Sequence, residues 1–186
     1  MSAMYVVSEL TVTKMTTVAE KQCEKFEGRV GIYGHNEVDR LVTSYMAEFA
    51  VRQLYKQGGI DCHQNINNND MPDLTIFAHK TLDQQFSKRE EEVKCWKTGY
   101  SWEYYGNTIT DYHASKYEAK GRARVWFCEV NRETRTVIVH GWATPAECLE
   151  APNRQTSSGA NHQLEVLHRV SEVMAWVDDT EDGSWF

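Results

Sequence analysis

An α/β fold is predicted by three observations. Residues 36–57 carry apolar side chains at helical spacing, three strand-like segments follow in succession, and a further helix then leads to two more strands. The order helix, three strands, helix, strand suits a small layered α/β domain. At 186 residues and 41% apolar content the chain can bury one core of its own.

Taken in order, residues 4–15 read as a strand and the Lys/Glu-rich stretch after them as a short helix. Residues 36–57 read as a helix: Asn36 is a good N-cap, Glu37 and Asp39 sit in the first turn, and Gly58-Gly59 stops it. Its positions Val38, Leu41, Val42, Tyr45, Met46, Phe49 and Ala50 turn one face inward. Residues 60–66, 74–77 and 91–96 are strand candidates, the first two joined by the turn-rich run 65–70. Residues 110–120 read as a helix, and 124–130 and 136–142 as strands joined in a hairpin. Residues 152–160 have linker composition, and the apolar spacing of 162–177 predicts a closing amphipathic helix. The expected organisation is an N-terminal extension over 1–35, a core over 36–150, and a linker, helix and acidic tail over 151–186.

Charge is uneven. The formal net charge is −7, which argues against a protein that binds nucleic acid by bulk charge alone. Residues 80–124 nevertheless sum to +2 while 125–186 sum to −6, so an anionic ligand is expected against the middle segment. Five scattered cysteines without a Cys-x-x-Cys pair disfavour a disulfide scaffold and a zinc site. No apolar run approaches a membrane span and no signal peptide is legible, so a cytoplasmic setting is expected. Phosphate-loop, Gly-x-Ser-x-Gly and dinucleotide motifs are also missing, which disfavours ATP, esterase and NAD chemistry.

The segment richest in chemistry is Pro72-Asp73, followed by Glu92-Val93-Lys94. Pro72 is tolerable at a strand's first position, and Asp73 opens that strand. Glu92 and Lys94, two apart on the next strand, point to one face. If those strands pair, Asp73 approaches Glu92, and two hard oxygen ligands share a small volume with an ammonium. Such a group suits Mg²⁺, which keeps part of its water shell and meets a phosphate oxygen. Lys94 can orient or deprotonate a water, or stabilise charge growing on phosphate. Glu48 on the preceding helix can add a carboxylate; Glu37 competes with it, although a first-turn position explains Glu37 through the helix dipole.

This pattern resembles the PD-(D/E)XK nuclease superfamily. Ala47-Glu48-Phe49-Ala50-Val51, ending at Gly58-Gly59-Ile60, is similar to that family's first core helix and its acidic residue. The resemblance covers roughly residues 36–130. It implies a restriction-endonuclease-like core, here with extra terminal helices, and Mg²⁺-dependent cleavage of DNA or, less often, RNA, with Mn²⁺ as a substitute ion. Asp73, Glu92 and Glu48 would bind the metal, and Lys94 would complete the catalytic set. The sequence departs from the pattern in Arg89-Glu90-Glu91, where apolar strand residues are usual, and in the 19-residue spacing from Asp73 to Glu92.

Lys97, His113, Lys116, Lys120, Arg122 and Arg124, interleaved with aromatic residues, are the expected nucleic-acid contacts: cations meet phosphates and rings stack on bases. The same residues also fit a packed core with a solvated basic face. The run 178–186 is acidic and ends in Trp185-Phe186, as a protein-docking tip or a frayed end. Two other functional classes fit the sequence: a non-catalytic acidic regulator or DNA mimic binding a DNA-processing partner, and a nuclease-like fold that has lost its metal. Size and termini suit a bacterial or phage-encoded protein.

Overall fold

A computed structural model describes residues 2–24, 37–66, 71–79, 86–156 and 159–172. In chain order, β1 (Ala3–Val6) leads to helix α1 (Glu9–Glu24) and helix α2 (Glu37–Gln57). Next come β2 (Asp61–Gln64), β3 (Leu74–His79) and β4 (Phe86–Lys97). The short helix α3 (Tyr100–Tyr105), strand β5 (Thr108–Thr110) and helix α4 (Asp111–Ala119) follow. The chain continues through β6 (Arg124–Asn131), β7 (Thr136–Ala143) and helix α5 (Pro145–Glu150) to β8 (Asn153–Thr156) and β9 (Gly159–Gln163).

Six strands form a mixed sheet in the order β1-β7-β6-β4-β3-β2, and β5-β9-β8 form a second, smaller sheet. β2, β3 and β4 make an antiparallel meander, whereas β4 and β6 run parallel, with Glu92 beside Val125 and Lys94 beside Phe127. The parallel step needs a crossover, which α3, β5 and α4 supply. The chain is therefore a mixed α/β domain.

Both faces of the large sheet are covered. α2 buries Val42, Met46, Ala50, Val51 and Leu54 against Val93, Trp126, Cys128 and Val139. On the other face Ala114 and Tyr117 of α4 meet Val125, Phe127, Ala143 and Cys148. This double covering explains why Arg124 through Cys128 are all buried, without the alternation of a half-solvated strand. α2 ends as expected, with Gly59 at φ +75° and the Gly59 N–H donating to Lys56 O at 3.0 Å. Asn36, its expected N-cap, lies outside the described residues. Among the described residues no helix is long and apolar enough to cross a membrane.

Three expectations are corrected. The strand expected over 4–15 stops at Val6. Ser8 Oγ accepts from Thr11 N at 3.2 Å and starts α1, and the hydroxyls of Thr13, Thr16 and Thr17 donate to carbonyls four residues back, so β-branched residues fit a helix here. The linker expected at 152–160 instead contains β8 and the first residues of β9. The helix expected over 162–177 is also absent where it is described. His162 lies in β9 opposite Ile109, its Nδ1 2.9 Å from Ala151 O, and His168 pairs with Trp142 in an isolated bridge. Only residues 170–172 are helical; 173–186, with the acidic tail, lie outside the described residues. Of the two terminal helices expected, the N-terminal one is present as α1.

Candidate metal and nucleic-acid site

The site forms where β3 begins beside β4. The ladder between them starts at Leu74 opposite Glu91, so β3 offers no backbone partner to β4 beyond that point. Asp73 Oδ2 fills the gap, accepting from the Val93 N–H at 2.7 Å. Asn65, just past β2, pins the approach: its N–H donates to Asp73 O at 3.0 Å and its Nδ2 to Pro72 O at 2.8 Å and Thr75 Oγ1 at 2.9 Å. The proline at the strand start, legible in the sequence, thus leads to a carboxylate locked to the neighbouring strand.

Glu92 follows on β4, 6% exposed. It accepts from Arg122 Nε at 2.8 Å, and the Tyr117 phenol and the Asp73 carboxyl lie beside it. Burial, and next the Asp73 charge, push Glu92 up to about 7. Burial also raises Asp73, against the pull of Lys94 and of the Val93 N–H. Glu48 reaches the same cavity from α2 at 4% exposure, accepting from Ser44 Oγ at 3.0 Å and Gln64 Nε2 at 2.9 Å. Burial and then the Asp73 charge hold Glu48 well above the usual carboxylate range. Three acids in one poorly solvated place oppose one another's ionisation, and an added cation would relieve that.

Lys94 lies two residues on from Glu92, its Nζ 4.9 Å from the centre of the Tyr117 ring. Its charge favours ionised Asp73 and Glu92 and, after burial, helps lower His113 to about 4. His113 is therefore neutral near pH 7, with Nδ1 2.7 Å from Thr110 Oγ1.

The structure thus brings Asp73, Glu92 and Glu48 to one cavity of about 200 Å³, with Lys94 close by. Among the described residues no group of three His, Cys, Asp or Glu side chains is set to hold a metal ion. Glu48 is turned to Ser44 and Gln64, and Glu92 to Arg122 and Tyr117. The donor set, carboxylate oxygens with two of them adjacent, has the chemistry a hard divalent cation takes. Rotation of Arg122 away from Glu92 would free the second oxygen ligand.

The expected nucleic-acid residues divide. His113, Lys116, Lys120 and Arg122 line the cavity. Arg122 is 6% exposed and already spans Glu92 and Glu90. Arg124 is a correction: it is buried, with Nη1 3.1 Å from Tyr55 Oη and 3.4 Å from Glu91, and its guanidinium lies over the Trp142 ring. It belongs to the interior, where a buried carboxylate needs a counter-charge. Lys97 pairs with Asp39 near the start of α2. Several of the interleaved rings are also committed internally, Trp96 stacking on Tyr105 and Trp102 on His140.

Comparison with family models and with curated proteins gives no match to this chain. The site is accordingly read from its own chemistry.

Sequence reasoning missed Ser44, Gln64, Asn65 and Tyr117. Ser44 was legible in principle, because i and i+4 share a helix face. Gln64 ends a short polar strand with no apolar alternation to show which way it faces, and Asn65 opens a run whose composition signals only a turn. Tyr117 was one aromatic among many.

Proposed function

We propose that this chain is a Mg²⁺-dependent deoxyribonuclease of the PD-(D/E)XK type. The observation that carries the reading is Asp73 bonded to the strand that presents Glu92 and Lys94, with Glu48 entering from the preceding helix. The order α2, β2, β3, β4, α4, β6, with α3 and β5 inserted before α4 and with β6 parallel to β4, supports it.

Asp73 and Glu92 would hold the ion, with Glu48 assisting directly or through a water. Bound there, Mg²⁺ would lower the pKa of a water and offset charge on a phosphate. The protein's own groups do the rest. Lys94 offers an ammonium to orient a water or to stabilise charge on a non-bridging oxygen, at a position where the surroundings are mostly protein and such a contact is strong. The Tyr117 ring lies against the Lys94 ammonium and its hydroxyl beside Glu92, so both members of the Glu-x-Lys pair meet one side chain. Neutral His113 can donate or accept a hydrogen bond without adding charge.

The test is direct: incubate end-labelled single- and double-stranded DNA with the protein in Mg²⁺, Mn²⁺ or EDTA. Cleavage in either metal and none in EDTA supports the reading. The Arg122–Glu92 ion pair favours a second reading, a nuclease-like protein whose Glu92 is permanently neutralised. It predicts no cleavage in any metal, and DNA binding that metal leaves unchanged.

A further inference from the structure

The acidic floor of the cavity lies between two cationic walls, and only one of them was legible in the sequence. From α4 and the residue after it come Lys116 and Lys120; from the other side comes Arg40, on the first turns of α2 beside Leu41 and Ser44. The Arg40 side chain is 64% exposed and bonded on one side to Glu37, with Nε 3.0 Å from Oε2. An exposed guanidinium keeps donors for a further anion after one carboxylate is satisfied, because its five N–H groups form a fork.

Depth is the second constraint. Glu48 and Glu92 are more than nine-tenths buried, and the cavity above them measures about 200 Å³. An intact duplex is a stiff body much wider than a cavity of this volume, whereas a flexible unpaired strand is narrow enough to set one phosphate toward the buried acids and flanking phosphates at either wall.

We infer that this cleft binds an unpaired nucleic-acid strand, with Arg40 and Lys116 as phosphate contacts on opposite walls. The inference rests on the phosphodiester reading of the floor for its choice of ligand, but the strand is held by cations and needs no metal. Neighbouring phosphates neutralised from two sides should release counterions on binding, giving a salt dependence to which each wall contributes.

The experiment measures fluorescence anisotropy of a labelled 12-nucleotide oligo-dT, and of a 12-base-pair duplex, with the full chain at pH 7 in EDTA, where metal-dependent cleavage is suppressed. The single strand should bind at least about tenfold more tightly than the duplex. Arg40→Gln and Lys116→Gln should each weaken it about fivefold and reduce the salt slope by about 0.7. Arg40→Glu should weaken it further, and thermal melts of each variant confirm a folded protein. Duplex binding as tight as single-strand binding, or unchanged affinity in Arg40→Gln and Arg40→Glu, overturns the inference. The two proposals fail separately: strand binding that needs Arg40, without cleavage in Mg²⁺ or Mn²⁺, removes the nuclease and leaves the clamp. Cleavage that ignores Arg40 does the reverse.

Discussion

Asp73 Oδ2 accepts the Val93 backbone N–H at 2.7 Å, so a side chain takes the place of the next backbone acceptor in the β3–β4 ladder. One oxygen is spent on the fold, and the carboxyl is held beside Glu92 at the floor of the cavity. Position and chemistry are thereby coupled, and the coupling can be separated by substitution.

Asp73→Asn keeps an acceptor for Val93 and removes the charge, whereas Asp73→Ala leaves a half-buried N–H unpaired. In urea unfolding, Asp73→Ala should be destabilised by about 1–3 kcal/mol, and Asp73→Asn by clearly less, because both lose the repulsion from Glu48 and Glu92 but only Asn keeps an acceptor for the Val93 N–H. Both should lose metal-dependent cleavage. Equal stability of the two variants would mean that the Val93 contact contributes nothing.

Glu92 rises from its ordinary 4.5 to about 7 because of burial and then Asp73. Between those values the folded protein holds a proton that the unfolded chain has released. The Glu92 contribution to stability is therefore intact below about 4.5 and lost as pH rises through about 7. His113, lowered to about 4, acts in the opposite sense between about 4 and its ordinary 6.5, so the informative quantity is wild type minus Glu92→Gln. That difference in Tm, measured without metal, should fall from pH 5 to pH 7.5. Mg²⁺ should raise the wild-type Tm more at pH 8 than at pH 6, because the ion competes with the proton. A flat difference would show that Glu92 is ionised throughout.

On the other face of β4, Glu91 is fully buried and accepts from the Tyr55 hydroxyl at 2.7 Å and Trp126 Nε1 at 2.6 Å, with Arg124 as its counter-charge. Glu91→Ala strands three buried donors and should cost about 3–5 kcal/mol in urea unfolding. Trp126→Phe removes one N–H and should cost less. Oligo-dT binding by Glu91→Ala at a temperature where it is folded should match wild type; a large loss there would link this network to the cleft.

Gly141 allows the chain at 167–168 to pass close to β7. A Cβ at this position would lie 2.4 Å from His168 O and 2.8 Å from Leu167 Cβ. Gly141→Ala should therefore break the Trp142–His168 bridge and destabilise the protein by about 1–3 kcal/mol. Faster amide exchange at His168 would localise the effect, and exchange equal to wild type would contradict it.

The helix α2, the meander β2–β4 and the strands β6 and β7 were legible because each carries its own periodicity or turn chemistry. The approach of Asp73 to Glu92 was legible because consecutive strands commonly pair and the pleat sets Glu92 and Lys94 on one face, whereas Glu48, on a helix, was singled out through the family resemblance. The C-terminal segment was not. Leu164 and Val170 are both buried, but through β9 and the Trp142 bridge, contacts that no local period encodes. Arg124 was misread for a related reason: its buried partner Glu91 sits on another strand, and a list of basic residues does not reveal which face each occupies. Arg40 escaped notice because it lies outside the basic segment.

The central claim is that Lys94 acts at a carboxylate-held ion, and single-turnover cleavage of labelled oligo-dT by wild type and Lys94→Ala tests it most directly. Calorimetry with Mn²⁺ alone runs beside it. The account predicts that wild type cleaves with Mg²⁺ or Mn²⁺, and that Lys94→Ala is slowed by about 10²-fold or more while still binding Mn²⁺. Cleavage by Lys94→Ala at the wild-type rate, or no cleavage by wild type in either metal, would contradict it.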